Sequence, residues 1–217
     1  MSEPIVLVLG FEPFDGERIN PSKEIARALD GALVNGHRVV AEVLPVAFAS
    51  TMPALEALLE THRPALVVAT GQAGGRAEIA IERVAVNLID ARIPDADGAR
   101  PIDEPVVAGA PAAYFSTLPV KAMFARLRAL DIPVSLSQTA GTYVCNQTFF
   151  ALAHLVATRY RDTRAGFIHV PWLPVQAARH VGQPSMALAT MVDGVRAAIE
   201  CAAATRRDLR VAGGSTH

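Results

Sequence analysis

The run IVLVLG at residues 5–10 decides the fold class. Ile5 to Leu9 is continuously apolar and stops at Gly10, which predicts a short strand buried on both faces. Such strands belong to the middle of parallel sheets covered by helices. The turn-rich GFEPFDGERINPS at 10–22 follows, and a helix is expected from about Pro21 or Ser22 with Ile25, Ala26 and Leu29 inward. The same alternation recurs along the chain. Arg38–Leu44 reads as a second strand, and a helix over roughly 50–60 turns Leu55, Leu58 and Leu59 inward. Ala65–Ala69 is another strand and runs into TGQAGGR at 70–76. Val84, Val86 and Leu88 alternate with Arg83, Ala85 and Asn87, which predicts a strand packed on the valine face.

The proline-rich stretch from Pro94 to Pro119 reads as a long loop with short ordered pieces laid over the main body. Helical spacing returns with Val120, Met123, Phe124, Leu127 and Leu130. Val134–Leu136 is a strand, and a helix is expected to begin between Thr142 and Asn146. Ala165–Val170 is a strand stopped by Pro171. A last helix over about 185–204 carries Leu188, Met191, Val192, Val195 and Ile199 on one stripe, with Ser185 as its cap. From about residue 208 the chain reads as a loose tail. No composition break divides residues 1–217, so one domain is expected: an α/β, three-layer α/β/α sandwich with a mostly parallel central sheet.

The chain has 217 residues, 51% hydrophobic and 19% charged, which supports a large core. Twenty Lys and Arg against 21 Asp and Glu leave a formal charge of -1, so the summed charge predicts no nucleic-acid or lipid partner. No 18-residue apolar run occurs, and the amino end carries no basic stretch ahead of its short apolar run. No membrane span is expected, and a cytoplasmic protein is. Two cysteines provide neither a disulfide framework nor a Cys-rich metal site, and the histidines are scattered without HExxH.

In open α/β sheets, ligands gather at the carboxyl ends of strands. GFEPFDG, TGQAGGR, SQTAGTYVCN and HVPWLP each follow a predicted strand. Cys145 enters the first turn of a helix, where N–H groups and the helix field favour a thiolate. The other reading is a buried thiol filling a gap among Val144, Phe149 and Phe150; Cys201, deep in the last helix, reads as packing alone. His169, at a strand edge, is placed to act as the base for Cys145, or else is a buried histidine bonded to a loop carbonyl. Glu82 is the candidate to orient it, placed at the entrance of a strand, with Glu78 and Asp90 as rivals. TGQAGGR lacks both phosphate-loop patterns, so its glycines imply a tight turn and close backbone approach. Gln72 can bond an amide ligand. Phe11 and Phe14, with Tyr143 or Trp172, can wall a small apolar pocket or simply pack their loops.

Three segments in this order carry a resemblance: GQAGGRAEIAIERVAVN, SLSQTAGTYVCN and GFIHVPWLP, with NLIDARIPDADG between them. The chain resembles the pyroglutamyl peptidase I (pyrrolidone-carboxylate peptidase) family over nearly its whole length. The resemblance places Glu82, Cys145 and His169 on the family's catalytic glutamate, nucleophile and base. It implies an α/β/α cysteine peptidase that releases an amino-terminal pyroglutamyl residue, needs no metal or organic cofactor, is cytoplasmic, and forms homodimers or homotetramers. By the same carry-over Phe11, Phe14, Gln72, Tyr143 and Val144 lie in segments that bind the lactam ring, and Arg92 stands near the developing oxyanion. Ala80 stands where the family has Ser or Thr, and Asp15 where it has glycine. A different small cyclic-amide amidase, a noncatalytic lactam- or peptide-binding relative, and a phosphate-binding enzyme are the other readings.

Overall fold

The computed structural model describes residues 3–214. Its seven-stranded sheet holds β1 (Ile5–Phe11), β2 (Leu33–Val34), β3 (His37–Leu44), β4 (Leu66–Gln72), β5 (Ile79–Glu82), β8 (Val134–Ser137) and β9 (Arg164–Val170) in the order β2-β3-β1-β4-β9-β5-β8. A separate two-stranded ribbon pairs β6 (Val84–Val86) with β7 (Ala113–Phe115). The helices are α1 (Pro21–Leu29), α2 (Phe48–His62), α3 (Val120–Arg128), α4 (Val144–Thr158), α5 (Pro174–Ala177) and α6 (Leu188–Ala204).

The apolar run that begins the chain is continuous because both of its faces are covered. Val6 and Val8 join the core under α1, α3 and α6, with Ile25, Leu29, Met123, Leu127, Met191, Val195 and Ile199. Leu7, Leu9 and Phe11 join the core under α2 and α4, with Leu55, Leu59, Phe149, Phe150 and Leu152. Two cores on either side of one sheet make the three-layer sandwich.

Strands β3, β1, β4 and β9 run parallel, but β5 is antiparallel to β9 and β8 is parallel to β5. The sheet therefore has a parallel centre, β3-β1-β4-β9, with β2 reversed at one edge and β5 and β8 reversed at the other. That reversal corrects one expectation. The segments after β1, β4 and β9 leave the sheet at one end, whereas SQTAGTYVCN follows a strand that points the other way and reaches the site through the turn before α4.

Several local expectations also change. Glu82 does not open a strand; it closes β5, a separate strand that the sequence pattern did not reveal. In β6 the buried residue is Ala85, while Val84 and Val86 are half-covered, so the packed face is the opposite of the expected one. The chain leaves the main sheet at Arg83 and pairs with β7, which changes its neighbours. Leu130 lies beyond α3 and is exposed. Ser185 does not cap the last helix, which starts at Leu188 after an uncapped Ala187. The tail is tied down at Asp208, whose carboxylate accepts from the backbone N–H groups of Lys121 and Ala122 at the start of α3. No described helix is long and apolar enough to cross a membrane.

Candidate active site

Glu82 and His169 meet because β5 is reversed beside β9. In register, Ala80 faces His169 and Glu82 faces Phe167, so all four point to the same side and Glu82 lies diagonally across from His169. His169 Nδ1 lies 2.8 Å from Glu82 Oε1. A carboxylate only accepts, so Nδ1 carries the proton and Nε2 is left able to take one. Glu82 is fully buried, and the same oxygen accepts from Arg76 Nη1 at 3.2 Å. This contact selects Glu82 over its rivals: Asp90 is exposed, and neither it nor Glu78 bonds the imidazole among the described residues.

Cys145 is the second residue of α4, a helix whose start has no side-chain cap at Tyr143. Its sulfur lies against Gly71 near the end of β4, and a Cβ added to Gly71 would stand 2.9 Å from Sγ and 2.8 Å from the Phe167 ring. Gly71 is also the residue that pairs with His169 across β4 and β9. The glycine is thus needed for the close approach, as the glycine-rich segment implied. Among the described residues no hydrogen bond joins the thiol to the imidazole; the glutamate half of the relay is closed and the thiol half is open.

The sequence favoured a thiolate at this helix start. In the structure, burial and then the Glu82 carboxylate push the Cys145 thiol up to about 12, with the Arg76 charge opposing them. Both causes favour the neutral thiol over a preformed thiolate. Cys201 is also raised, mainly by burial, and sits on α6 with Sγ 4.0 Å from Thr205 Oγ1.

A cavity of about 260 Å³ is lined by Phe14, Asp15, Glu17, Gln72, Gly74, Arg92, Trp172 and His180; Glu82, Cys145 and His169 are not part of its lining. Trp172 covers Gly74 so closely that a Cβ there would meet its indole at 2.3 Å. Tyr143 is fixed by its hydroxyl, which donates to Pro94 O at 3.0 Å, and by rings on two sides. Phe14 is 6.3 Å away and Phe48 meets it edge-on at 5.3 Å. Phe11, Tyr143 and Val144 are not in the cavity lining. Phe11 is buried against Phe167, and the Val144 side chain lies in the core beneath α4. Asp15 adopts a left-handed φ of 53°, a conformation that favours glycine.

Three participants escaped the sequence reading. Phe48 is one. Buried Asn146 is another: its side chain accepts from Val86 N–H and donates to the carbonyls of Val86 and Leu88, which ties the first turn of α4 to the segment after Glu82. Buried Gln176 donates to Gln72 Oε1 at 2.8 Å. A polar residue beside the cysteine was the available signal for Asn146; nothing local marked Gln176. Among the described residues no group of three or more His, Cys, Asp or Glu is placed to hold a metal ion.

A three-layer α/β/α sandwich that sets a cysteine at an open helix start beside a carboxylate-bound imidazole has the arrangement of a cysteine-type hydrolase. The family model for pyroglutamyl peptidase matches residues 5–205, and the chain belongs to that family. It is 56% identical over 215 residues to a pyrrolidone-carboxylate peptidase of Cupriavidus taiwanensis, covering 99% of this chain and 100% of that one. A pyrrolidone-carboxylate peptidase of Bacillus cytotoxicus is 47% identical over 98% of this chain and 99% of its own length. Among solved structures, pyroglutamyl peptidase I of Bacillus amyloliquefaciens superposes with a TM-score of 0.93 at 39% identity, covering 95% of this chain and all of that one. A mutant pyrrolidone carboxyl peptidase of Pyrococcus furiosus gives 0.90 at 45% identity, covering 92% and 98%.

Proposed function

We propose that this chain is a cysteine-type omega peptidase that hydrolyses the amide bond after an amino-terminal pyroglutamyl residue. The observation that carries the assignment of roles is the 2.8 Å contact of His169 Nδ1 with Glu82, with Cys145 Sγ packed on the residue that pairs with His169. Its family membership supports the substrate.

His169 Nε2 takes the Cys145 proton as sulfur attacks the carbonyl carbon that joins pyroglutamate to the next residue. The neutral resting thiol makes this a transfer coupled to attack. Backbone N–H groups at the open start of α4 receive the negative oxygen, with Arg92 at the cavity wall as a further donor. Imidazolium then protonates the leaving amine, and the C–N bond breaks to leave a thioester. Water, deprotonated by His169, attacks the thioester; pyroglutamate leaves and the proton returns to sulfur. Phe14, Tyr143 and Gln72 hold the lactam, and Phe11 and Val144 support the wall from behind.

The protein is read as cytoplasmic, with two free cysteines and no membrane-length apolar helix among the described residues in support. The reading of a homodimer or homotetramer rests on membership of the family. No metal or organic cofactor takes part in these steps.

The test is release of amine from a pyroglutamyl amide, with prolyl and glutaminyl amides and a Cys145→Ala protein alongside, under reducing conditions. The wild type is expected to act on the pyroglutamyl substrate at least about 10³-fold faster than the variant. Equal rates for the two proteins would reject the reaction, and equal action on the prolyl amide would reject the ring selectivity.

A further inference from the structure

The buried carboxylate of the site has one fixed countercharge among the described residues. Glu82 is 0% exposed, and its Oε1 accepts from both His169 Nδ1 at 2.8 Å and Arg76 Nη1 at 3.2 Å. Its Oε2 bonds no described residue. The neighbouring groups do not stand in for Arg76. His169 on β9 is neutral whenever it is ready to take a proton, and Cys145 on α4 brings only a thiol. Strand β8 carries no titratable residue, and α3 and α6 pack on the opposite face of β5, against Ile79 and Ile81. Arg83, next to Glu82 in the chain, reaches Gln138 Oε1 at 3.4 Å instead. Arg76 comes inward from the turn between β4 and β5. Gly75 bends that turn with a left-handed φ of 84°, and the indole of Trp172, just past His169 in the chain, lies on Gly74.

We infer that Arg76 is a positioning residue for the base: its charge, bonded to Glu82, keeps hydrogen off Nε2 of His169 and so leaves that nitrogen open to the Cys145 proton. This rests on the roles proposed for Glu82, Cys145 and His169. A buried charge without a partner is neutralised by a change of protonation. Without Arg76 the Glu82–His169 pair would take up a proton. If it goes to the imidazole, both ring nitrogens carry hydrogen. If it goes to the carboxyl, the new O–H donates to Nδ1 and the ring hydrogen moves to Nε2. Either way Nε2 is blocked, so the prediction belongs to the pair and not to one of its members. Burial and then Glu82 push the Cys145 thiol up while Arg76 pulls it down, so both charges are felt at the reacting sulfur. Arg76 itself acts only through the carboxylate.

The full-length protein, labelled with 15N in its histidine rings, would be titrated by NMR, with His169 assigned by its loss in H169N. The pH profile of kcat/KM for a pyroglutamyl amide would be measured beside it. In the wild type Nδ1 is expected to carry the hydrogen and Nε2 to be free through the neutral range. R76M keeps much of the length without the charge. Its gain of hydrogen at Nε2 and the acid limb of its rate are both expected to move up by about one pH unit, a tenfold change. The one-third exposure of Arg76 keeps the shift below that of a fully buried pair. Turnover by R76M should fall about tenfold near pH 6 and return to within a few-fold of wild type near pH 9, with KM within about twofold throughout. R76K keeps a charge within reach and should stay within about 0.3 pH unit of wild type.

A purely structural role would lower the rate at every pH and leave the midpoint at Nε2 in place. That outcome, or an R76K shifted as far as R76M, overturns the proposal. So does a wild type whose hydrogen sits on Nε2 in the neutral range, a result that needs no variant to fold. The expected titration in a protein that releases no amine would instead remove the peptidase reading and leave the role of Arg76 standing.

Discussion

At the start of α1, Asn20 accepts from both the backbone N–H and the hydroxyl of Ser22, and Ser22 Oγ accepts from the Phe11 N–H. At the start of α4, Tyr143 has no acceptor to offer, and the first turn is left open beside Cys145. Both helices begin near the loops around the cavity, yet one end is closed by its own neighbours and the other is kept for a visitor. The starts of α2 and α3 side with α1. Phe48 N–H donates to Asp95 at 2.7 Å, and Asp208 serves Lys121 and Ala122 from the far end of the chain. An unfilled helix start forgoes about 1 kcal/mol of capping but keeps donors and a positive field available where charge develops. The starts of α1, α2 and α3 are capped and those of α4 and α6 are not; of the two open starts, only that of α4 carries a candidate reactive group.

Closing α4 would remove that contrast, and it carries the largest expected effect. Tyr143→Asp supplies a capping carboxylate beside the site of the oxyanion. Turnover of a pyroglutamyl amide is expected to fall roughly 10²- to 10³-fold, as for loss of an oxyanion donor. Tyr143→Phe keeps the ring, loses only the hydroxyl that donates to Pro94 O, adds no capping acceptor, and stays within a few-fold of wild type. Similar rates for the Asp and Phe variants would show that the open start has no role in rate.

A smaller effect concerns the thiol at that start. Its value is raised from 9.0 to about 12, so it stays protonated through the neutral range. Alkylation of Cys145 by iodoacetamide, followed on its own peptide by mass spectrometry, should keep rising beyond pH 10. A plateau between pH 6 and 8 would reveal a preformed thiolate and contradict the coupled transfer. The sign for stability follows from the same shift. Above about pH 9 the unfolded chain releases this proton more readily than the folded one, so stability falls as pH rises, by at most about 1.4 kcal/mol per pH unit from this group. Cys145→Ala should show the shallower alkaline decline in urea unfolding.

The smallest effect is at the closed end. Asn20→Ala should lower stability by about 1 to 2 kcal/mol, since it removes a cap and a bond to the Glu12 carbonyl. Its kcat should change by less than a few-fold. A large loss of rate with stability unchanged would reverse the roles of the two helix starts.

How far these features could be read beforehand depended on how local their cause is. Ile5–Leu9 and Ala165–Val170 announced buried strands because cover on both faces leaves an uninterrupted apolar run. The stripe of Met191, Val195 and Ile199 announced α6 by its helical period. Ile79–Glu82 gave no such notice. Its four residues lead straight into β6, and AEIAIERVAVN reads as one alternating stretch, although the chain changes sheets at Arg83. The cavity residues divide in the same way. Phe14 and Gln72 stood out as unusual groups in loops, whereas Gln176, which bonds Gln72 from outside the lining, was not marked by anything local.

Periodicity, glycine placement and the order of three motifs were enough to name a three-layer α/β/α protein with Glu82, Cys145 and His169 as its candidate groups. Such signals are local, because each strand or helix records which of its own faces is buried. The encounter of His169 with Glu82 spans 87 residues of chain and depends on β5 running antiparallel to β9. The Gln72 side chain is bonded by a residue 104 positions away. Strand direction and hydrogen-bond orientation belong to pairs of distant segments, and no single segment records them until the chain has packed.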